Sequence, residues 1–321
     1  MKTRICGTGS VLPKKVVTND DLSKIMDTSD EWISSRTGIR SRHLAVEETL
    51  TGMASEAAKQ ALEEAGIKAE ELDMIIAATL SADKVCPSLS CEIQRELGAL
   101  NAVAFDINAA CSGFMFALQT ADAYIKSGQY KKILLVGGEI LSKMMDWSDR
   151  STCVLFGDGA GAAVVQADEN DGVLGSVQGS DGARGDVLPC DNRKNNNPYV
   201  TNDKELSYVH MNGQEVYKFA VRTVPKAIEE ALEKAGLKIE DVDLFLLHQA
   251  NIRIIESVAK RLAVPMEKFP TCLEECGNIS AGSVPILLDK VNRKGMLKKG
   301  DKIVLAGFGA GLTWGASVLT W

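Results

Sequence analysis

A cysteine with the setting of a nucleophile lies between a predicted strand and a predicted helix. Residues 103–109 form an apolar, largely strand-like run, and apolar residues recur at helical spacing after Cys111. A thiolate at a helix start gains from the helix dipole and from unpaired backbone N–H groups, which is how nucleophilic cysteines are activated. Cysteine is also common in ordinary cores, so position alone leaves a purely structural role for Cys111 open.

His248 and Asn278 are the candidate partners of this cysteine. His248 directly follows the strand-like residues 242–247, and Asn278 lies in the segment CGNISAGSVP. Two neutral hydrogen-bond donors beside a thioester carbonyl would stabilise a developing enolate. A second assignment stays open, in which His248 is the general base that removes the proton of the thiol.

An internal repeat explains how such distant residues can meet. Residues 61–76, ALEEAGIKAEELDMII, match residues 231–246, ALEKAGLKIEDVDLFL, and the same offset aligns residues 132–135 with residues 302–305. Alternating helices and apolar strands predict parallel-rich sheets that helices cover on both faces. The repeat therefore predicts an α/β fold that is duplicated, with five layers in the order αβαβα and pseudo-twofold symmetry.

The repeat also predicts two halves, residues 1–170 with the nucleophile and residues 171–321 with its partners. The repeat offset carries Cys111 onto Ala281, beside Asn278. Sites in open α/β sheets form at the carboxyl ends of strands and often where two halves meet. We therefore expect the two loops to face each other in one site.

The composition excludes several classes of protein. A net charge of −7 argues against a nucleic-acid surface, and no apolar run is long enough to span a membrane. The amino terminus shows no export signal, so a cytoplasmic protein with free cysteines is expected. Eight cysteines and three histidines include no C-x-x-C or H-E-x-x-H motif, so no metal site is expected. The polar residues 191–204 predict a surface loop.

Several motifs together are typical of one enzyme family. DINAACSGF, LLHQANIRII, CGNISAGSVP and GFGAGLTWGA, with GTGSVLP, DTSDEWISSRTGIRSRH and FGDGAGAAVV, resemble those of β-ketoacyl-acyl-carrier-protein synthase III. The resemblance runs from end to end. It implies the thiolase fold, a homodimer without a cofactor, and the first condensation of type II fatty-acid synthesis. An acyl-CoA primer would acylate Cys111, and malonyl-acyl-carrier-protein would lose carbon dioxide and attack the acyl-enzyme to give a 3-oxoacyl-carrier protein.

The resemblance also implies roles for single residues. His248 and Asn278 match the pair that hydrogen-bonds the malonyl thioester carbonyl, and the backbone N–H groups of Cys111 and Ala310 match the oxyanion hole. The residues implied for coenzyme A are Trp32 and Arg150, on either side of the adenine, with Thr28 and Arg36 as further contacts.

The chain as a whole is acidic, so an acidic carrier protein would have to dock on a local basic patch. Arg253 follows the motif HQAN, and Lys260 and Arg261 come seven and eight residues later on one helical face, with Lys218 as a further member. The resemblance places carrier docking in this region. An ordinary solvated face is the alternative interpretation.

Cys86 stands where many members of the family carry a phenylalanine that reaches into the acyl pocket of the partner subunit. A smaller residue at this position predicts that the enzyme accepts primers longer or more branched than acetyl.

Three other functions compete with this one. A specialised condensing or acyl-transferring homologue of secondary metabolism would keep Cys111 and use another acceptor. A biosynthetic thiolase is disfavoured, since that family has a second cysteine where GFGAGLTWGA stands here. A non-catalytic protein that binds coenzyme A or a carrier would have no need of Cys111, His248 and Asn278 together.

Overall fold

The computed structural model describes residues 1–201 and 207–321, in which strands and helices alternate. The strands are β1 (Lys2–Val11), β2 (Lys15–Thr18), β3 (Ser41–Leu44), β4 (Met74–Ala78), β5 (Val103–Ile107), β6 (Lys132–Ile140), β7 (Asp158–Asp168), β8 (Val173–Ser180), β9 (Leu244–Leu247), β10 (Lys302–Gly309) and β11 (Thr313–Thr320). The helices are α1 (Asn19–Leu22), α2 (Asp30–Thr37), α3 (Leu50–Ala65), α4 (Leu89–Leu97), α5 (Gly113–Lys126), α6 (Gly213–Ala235), α7 (Ile252–Leu262), α8 (Leu273–Cys276) and α9 (Ser283–Arg293).

Two main sheets have the same internal order. The first runs β1–β7–β6–β4–β5 and the second β8–β11–β10–β9, while β2 and β3 pair separately. β4 is parallel to β5 and β6, as β9 is parallel to β10, and β7 and β11 are antiparallel to their neighbours. Parallel strands buried on both faces explain the nearly continuous apolar runs of β4 and β9.

The core is divided among three layers of helices and the two sheets between them. Helices α5 and α9 lie between the sheets, where Phe114, Leu118, Ile286 and Leu287 join one apolar cluster with residues of both. Helices α3 and α4 cover the outer face of the first sheet, and α6 and α7 cover that of the second. The predicted five-layer αβαβα arrangement is thus confirmed.

The duplication extends to backbone conformation. Gly66 ends α3 and Gly236 ends α6 in the left-handed region, with φ of 64° and 68°. Ala110 and Ser280, which open short 3-10 turns at residues 110–112 and 280–282, have φ of 45° and 46°. The repeat seen in the sequence is therefore a repeat of structure. The boundary near residue 170 stays a prediction.

Three expectations drawn from composition concern a surface loop, membrane spans and metal sites. Residues 191–201 are exposed, as predicted for a surface loop, and residues 202–204 of that stretch lie outside the described residues. In residues 1–201 and 207–321, no helix is long and apolar enough to cross a membrane. The same residues contain no cluster of three or more His, Cys, Asp or Glu side chains that could hold a metal ion.

Candidate active site

Cys111 lies between a strand and a helix, as predicted. It is the middle residue of the 3-10 turn at 110–112, between β5 and α5, and 8% of it is exposed. The preceding Ala110 has φ of 45°, a conformation that costs a non-glycine residue energy and is often found at functional sites. The end of β10 packs against this turn, since a Cβ on Gly309 would come within 2.8 Å of Cys111 Cβ. Glycine at 309 therefore lets the second sheet reach the thiol.

His248 follows β9 and is buried, with 1% of its surface exposed. Its backbone N–H donates to the carbonyl of Ala306 over 2.8 Å, and its ring meets the edge of Phe308 with centroids 5.2 Å apart. Burial lowers the pKa of His248 to about 3, and no hydrogen bond satisfies its buried Nδ1. The imidazole is therefore neutral at physiological pH and can donate one hydrogen bond from one ring nitrogen.

Hydrogen bonds of its backbone and of its side chain fix the position of Asn278. Its backbone N–H donates to Leu155 O over 2.9 Å, and its carbonyl accepts from Gly157 N–H over 3.0 Å. Its side-chain Oδ1 accepts the backbone N–H of Ser280 over 2.8 Å. Because the amide oxygen is used in this way, Nδ2 is the part of the side chain left to donate into the pocket.

One pocket brings the three predicted residues together. Cys111, His248 and Asn278 line a cavity of about 350 Å³. Its remaining walls are largely apolar and include Leu155, Phe156, Leu188, Met211, Val216, Ile254 and Phe308. A cavity with apolar walls and a few convergent polar groups suits an acyl chain that ends at a reactive carbonyl.

The thiol is protonated at rest. Burial, with the negative charge of Glu139, raises the pKa of Cys111 to about 11, and the Ser280 hydroxyl limits the rise. Desolvation thus works against the stabilisation of a thiolate that the helix start is expected to give. Acylation needs a group that accepts the thiol proton.

A wider pocket, called the mouth below, adjoins this cavity. It has a volume of about 1060 Å³ and is lined by Trp32 among others, while Arg36, Asn251 and Arg253 line both pockets. The guanidinium carbons of Arg36 and Arg150 lie 4.8 Å and 5.0 Å from the centre of the Trp32 ring. Three of the four residues implied for coenzyme A thus meet at the mouth.

Neither Thr28 nor Arg150 is among the residues that line the two pockets. Thr28 Oγ1 is buried without a hydrogen-bond partner. Arg150 is held by the neighbouring Asp27, whose backbone oxygen and carboxylate both accept from its Nη1.

The basic residues predicted for carrier docking are spread over more than one part of the surface. Arg253 lies at the mouth, where its Nη2 donates to Ser35 O over 2.8 Å. Glu256 is exposed between Arg253 and Lys260 on the same face of α7, so this face is of mixed charge. Carrier docking on this face stays a prediction.

Lys218 and Arg261 lie in other hollows. Lys218 forms an ion pair of 2.8 Å with Glu215 in a groove of about 590 Å³ that shares no lining residue with the mouth. Arg261 approaches Val221 O at 3.5 Å in a hollow that Glu233 also lines. Of the predicted docking residues, Arg253 is therefore the one that lines the cavity of Cys111.

Two other predicted positions are placed without being assigned a role. Cys86 lies on an exposed loop and does not line the pocket of its own chain. Ala310 directly follows Gly309, and its carbonyl accepts from Thr313 Oγ1 over 2.8 Å. The oxyanion hole and the role of Cys86 in a partner's pocket stay predictions.

Glu139 and Ser280 are residues of this region that the sequence analysis missed. Glu139 is fully buried near the end of β6, and Ser280 is 1% exposed on the loop of Asn278. A lone charged residue within the apolar run ILLVGGEIL was a signal, because buried carboxylates are rare. Ser280 gave no such signal, since serine is common in loops.

The duplicated αβαβα fold, with a cysteine at a strand-to-helix turn facing a histidine and an asparagine, defines a thiolase-fold condensing enzyme. Residues 105–182 match the family model described as 3-Oxoacyl-[acyl-carrier-protein (ACP)] synthase III, and residues 232–321 match the model of its C-terminal part. The chain belongs to the β-ketoacyl-acyl-carrier-protein synthase III family.

Individual relatives are similar over their whole length. The Beta-ketoacyl-[acyl-carrier-protein] synthase III of Clostridium acetobutylicum is 51% identical over 99% of this chain and 98% of its own. The crystal structure of the 3-oxoacyl-[acyl-carrier-protein] synthase III of Aquifex aeolicus superposes with a TM-score of 0.94 at 49% identity, covering 99% and 100%. The priming beta-ketosynthase of the R1128 polyketide pathway superposes with a TM-score of 0.93 at 38% identity, covering 99% and 96%.

Proposed function

We propose that the chain condenses an acyl-CoA primer with malonyl-acyl-carrier-protein through an acyl-Cys111 intermediate and so initiates type II fatty-acid synthesis. The observation that carries the proposal is the adjacency of two pockets. Cys111, His248 and Asn278 line an apolar cavity, and Arg36 and Arg253 line both that cavity and the mouth beside Trp32.

The first half-reaction is transfer of the acyl group to Cys111. The sulfur attacks the thioester carbonyl, and the backbone N–H groups of Cys111 and Ala310 receive the developing negative charge. The closeness of Gly309 to Cys111 supports this pairing, since it brings the next residue, Ala310, to the thiol.

The second half-reaction is decarboxylation and condensation. A neutral His248 and the Nδ2 group of Asn278 donate to the malonyl thioester carbonyl, which stabilises the enolate that forms as carbon dioxide leaves. The pKa of His248, about 3, makes it a weak acceptor for the thiol proton and favours the donor role over the general-base role. Decarboxylation supplies the carbanion, so the proposed steps call for no cofactor.

Coenzyme A is proposed to bind at the mouth, with its adenine between Trp32 and Arg150 and with Arg36 and Thr28 as further contacts. Two stacked contacts of about 3.5 Å each need about 7 Å between the ring and the guanidinium. The present separation is 5.0 Å, so Arg150 must move outward when the adenine enters. The bond to Asp27 has to give way in this movement.

The carrier protein is proposed to dock around Arg253, with Lys218, Lys260 and Arg261 at a greater distance. A carrier bound there delivers its thioester into the mouth that leads to Cys111. A homodimer is proposed as well, in which the exposed loop of Cys86 reaches the acyl pocket of the partner subunit.

A panel of acceptors tests the proposal. The purified chain is loaded with acetyl-, butyryl- or isobutyryl-CoA and supplied with either malonyl-acyl-carrier-protein or malonyl-CoA. The proposal predicts a 3-oxoacyl-carrier protein as the main product. The likeness to the R1128 priming ketosynthase favours a second candidate, priming in secondary metabolism, for which a different acceptor would be preferred. Absence of turnover with every acceptor would point to a binding protein.

A further inference from the structure

Glu139 is a buried carboxylate that the proposed reaction does not use. Its Oε2 accepts hydrogen bonds from Ser81 Oγ at 2.5 Å, from Thr79 Oγ1 at 3.0 Å and from the N–H of Leu80 at 3.2 Å. Ser81 Oγ also accepts the N–H of Ile140 over 2.9 Å, so its own proton is directed to Glu139. The three donors favour the ionised carboxylate, whereas complete burial favours the neutral acid.

These opposing effects make Glu139 a group that titrates near neutrality. Burial raises the pKa of Glu139 to about 7, and hydrogen bonds from Ser81, Leu80, Thr79 and Ser280 limit the rise. A proton acceptor with a pKa close to the working pH is the most effective kind. His248, with a pKa of about 3, is a poorer one.

The turn that carries Ser280 packs between the segments of this carboxylate and of the nucleophile. A Cβ on Gly137, two residues before Glu139, would come within 2.2 Å of Ala281 O, and one on Gly113, two residues after Cys111, within 3.4 Å of Ala281 Cβ. The Ser280 hydroxyl lowers the pKa of both Cys111 and Glu139, although it forms no hydrogen bond in this state. The side chain is 1% exposed, and its Oγ is among the few buried polar atoms of the described chain without a partner. Its backbone is also held at a φ of 46°, in the left-handed region.

We infer that Glu139 is a positioning residue that takes the thiol proton of Cys111 through the Ser280 hydroxyl and returns it when the cysteine is released. The inference rests on the proposed acyl-Cys111 intermediate and names the acceptor that this intermediate requires. The proton is held in a part of the core that water does not reach, since Glu139 is fully buried.

The steps balance over one turnover. During acylation the S–H bond of Cys111 breaks, its proton passes to Ser280 Oγ, and the hydroxyl proton passes to Glu139. A new S–C bond forms to the acyl carbon, the C–S bond to coenzyme A breaks, and the coenzyme A thiolate takes a proton from water. In the condensation the malonyl carbanion attacks the acyl carbon and Cys111 leaves as a thiolate, which takes the stored proton back.

The charge of Glu139 adds a second effect. The ionised carboxylate raises the pKa of Cys111, and protonation removes this repulsion at the step in which the sulfur becomes negative. The other ionisable groups of the neighbouring strand and loops are Asp158 on β7 and Lys143 and Asp83, which flank the loop of Ser81. Asp158 bonds to Ser142 and to the N–H of Ala45, so it serves as a buried carboxylate for comparison.

The test compares Ser280→Ala and Glu139→Gln with the wild type and with Asp158→Asn as the matched control. Removal of an unpartnered hydroxyl costs little stability, and Ala110 shows that alanine occupies the equivalent backbone conformation. Single-turnover formation of acyl-Cys111 from acetyl-CoA is followed by mass spectrometry from about pH 6 to about pH 9.

In the wild type the acylation rate should rise with pH through a step near 7 and then level off, because Glu139 accepts a proton only when it is ionised. Ser280→Ala and Glu139→Gln should be slower near neutrality by roughly 10²-fold or more, the contribution of a positioned base. Their rates should climb about tenfold per pH unit without a plateau, since only bulk base then removes a proton from a thiol of high pKa. Glu139→Asp should restore part of the step, and Asp158→Asn should keep the wild-type profile.

A wild-type profile in Ser280→Ala would overturn the inference, as would a slower rate with the step near 7 unchanged. If Glu139→Gln does not fold, Ser280→Ala decides alone. Failure of the wild type to form acyl-Cys111 would instead refute the proposed function.

Discussion

Replacement of Asn278 by aspartate tests the proposed Nδ2 donor while it keeps the side-chain hydrogen bond within the loop. Aspartate keeps an oxygen for the N–H of Ser280, which now lies 2.8 Å from Oδ1. It removes the Nδ2 donor that is proposed to meet the malonyl thioester carbonyl and places a carboxylate there instead. A carboxylate beside a developing enolate repels it, so the second half-reaction should suffer while the first is spared.

The expected loss follows from the number of donors removed. Loss of one donor to a developing oxyanion lowers the rate by roughly 10²–10³-fold, about 2.7–4 kcal/mol. The effect should diminish as the pH falls, because a buried carboxyl becomes protonated and can then donate. Asn278→Ala loses the bond to Ser280 as well and should be less stable by about 1 kcal/mol.

The assay measures release of carbon dioxide from labelled malonyl-acyl-carrier-protein alongside formation of acyl-Cys111. Asn251→Asp is the matched control, since it adds the same charge where Asn251 lines both pockets. We expect it to weaken substrate binding and to spare the rate at saturation. Near wild-type decarboxylation by Asn278→Asp, or a parallel loss of acylation, would refute the division of labour.

Three further outcomes are expected. Cys111→Ala should abolish condensation, measured as 3-oxoacyl product, and near wild-type turnover would exclude it as the nucleophile. Arg253→Glu should raise the KM for malonyl-acyl-carrier-protein more than it slows acyl-CoA loading, and more than Lys260→Glu does; equal effects of the two variants would remove Arg253 from the docking surface. Cys86→Phe should shift the specificity constants from butyryl- and isobutyryl-CoA towards acetyl-CoA, by roughly tenfold for one or two methylenes at about 0.8 kcal/mol each, and an unchanged acetyl preference would show that Cys86 does not limit the pocket.

The fold was predictable because the repeated residues include those that the backbone conformation requires. Gly66 and Gly236 recur where each helix ends in the left-handed region, and the apolar runs after them become β4 and β9. The junction of Cys111 followed from a change of apolar period from strand to helix. Such signals are local in sequence, so tertiary structure is not needed to find them.

Features that depend on packing were not predictable. The high pKa of Cys111 follows from burial by distant segments, which the pattern of a helix start does not reveal. The packing of the Ser280 turn against β6, which carries Glu139, depends on contacts between the two halves. The separation of Lys218 from Arg253 depends on how α6 packs against α7. Helical spacing alone also missed Glu256, because it selected basic residues only.

The central claim is that Cys111 carries the acyl group between two half-reactions. It is tested by incubating the chain with acyl-CoA, digesting it and analysing the peptides by mass spectrometry before and after addition of malonyl-acyl-carrier-protein. The account predicts one acyl group on the peptide of Cys111, which disappears as the 3-oxoacyl-carrier protein forms. An acyl group on another residue, or an acyl-Cys111 that malonyl-acyl-carrier-protein does not discharge, would contradict it.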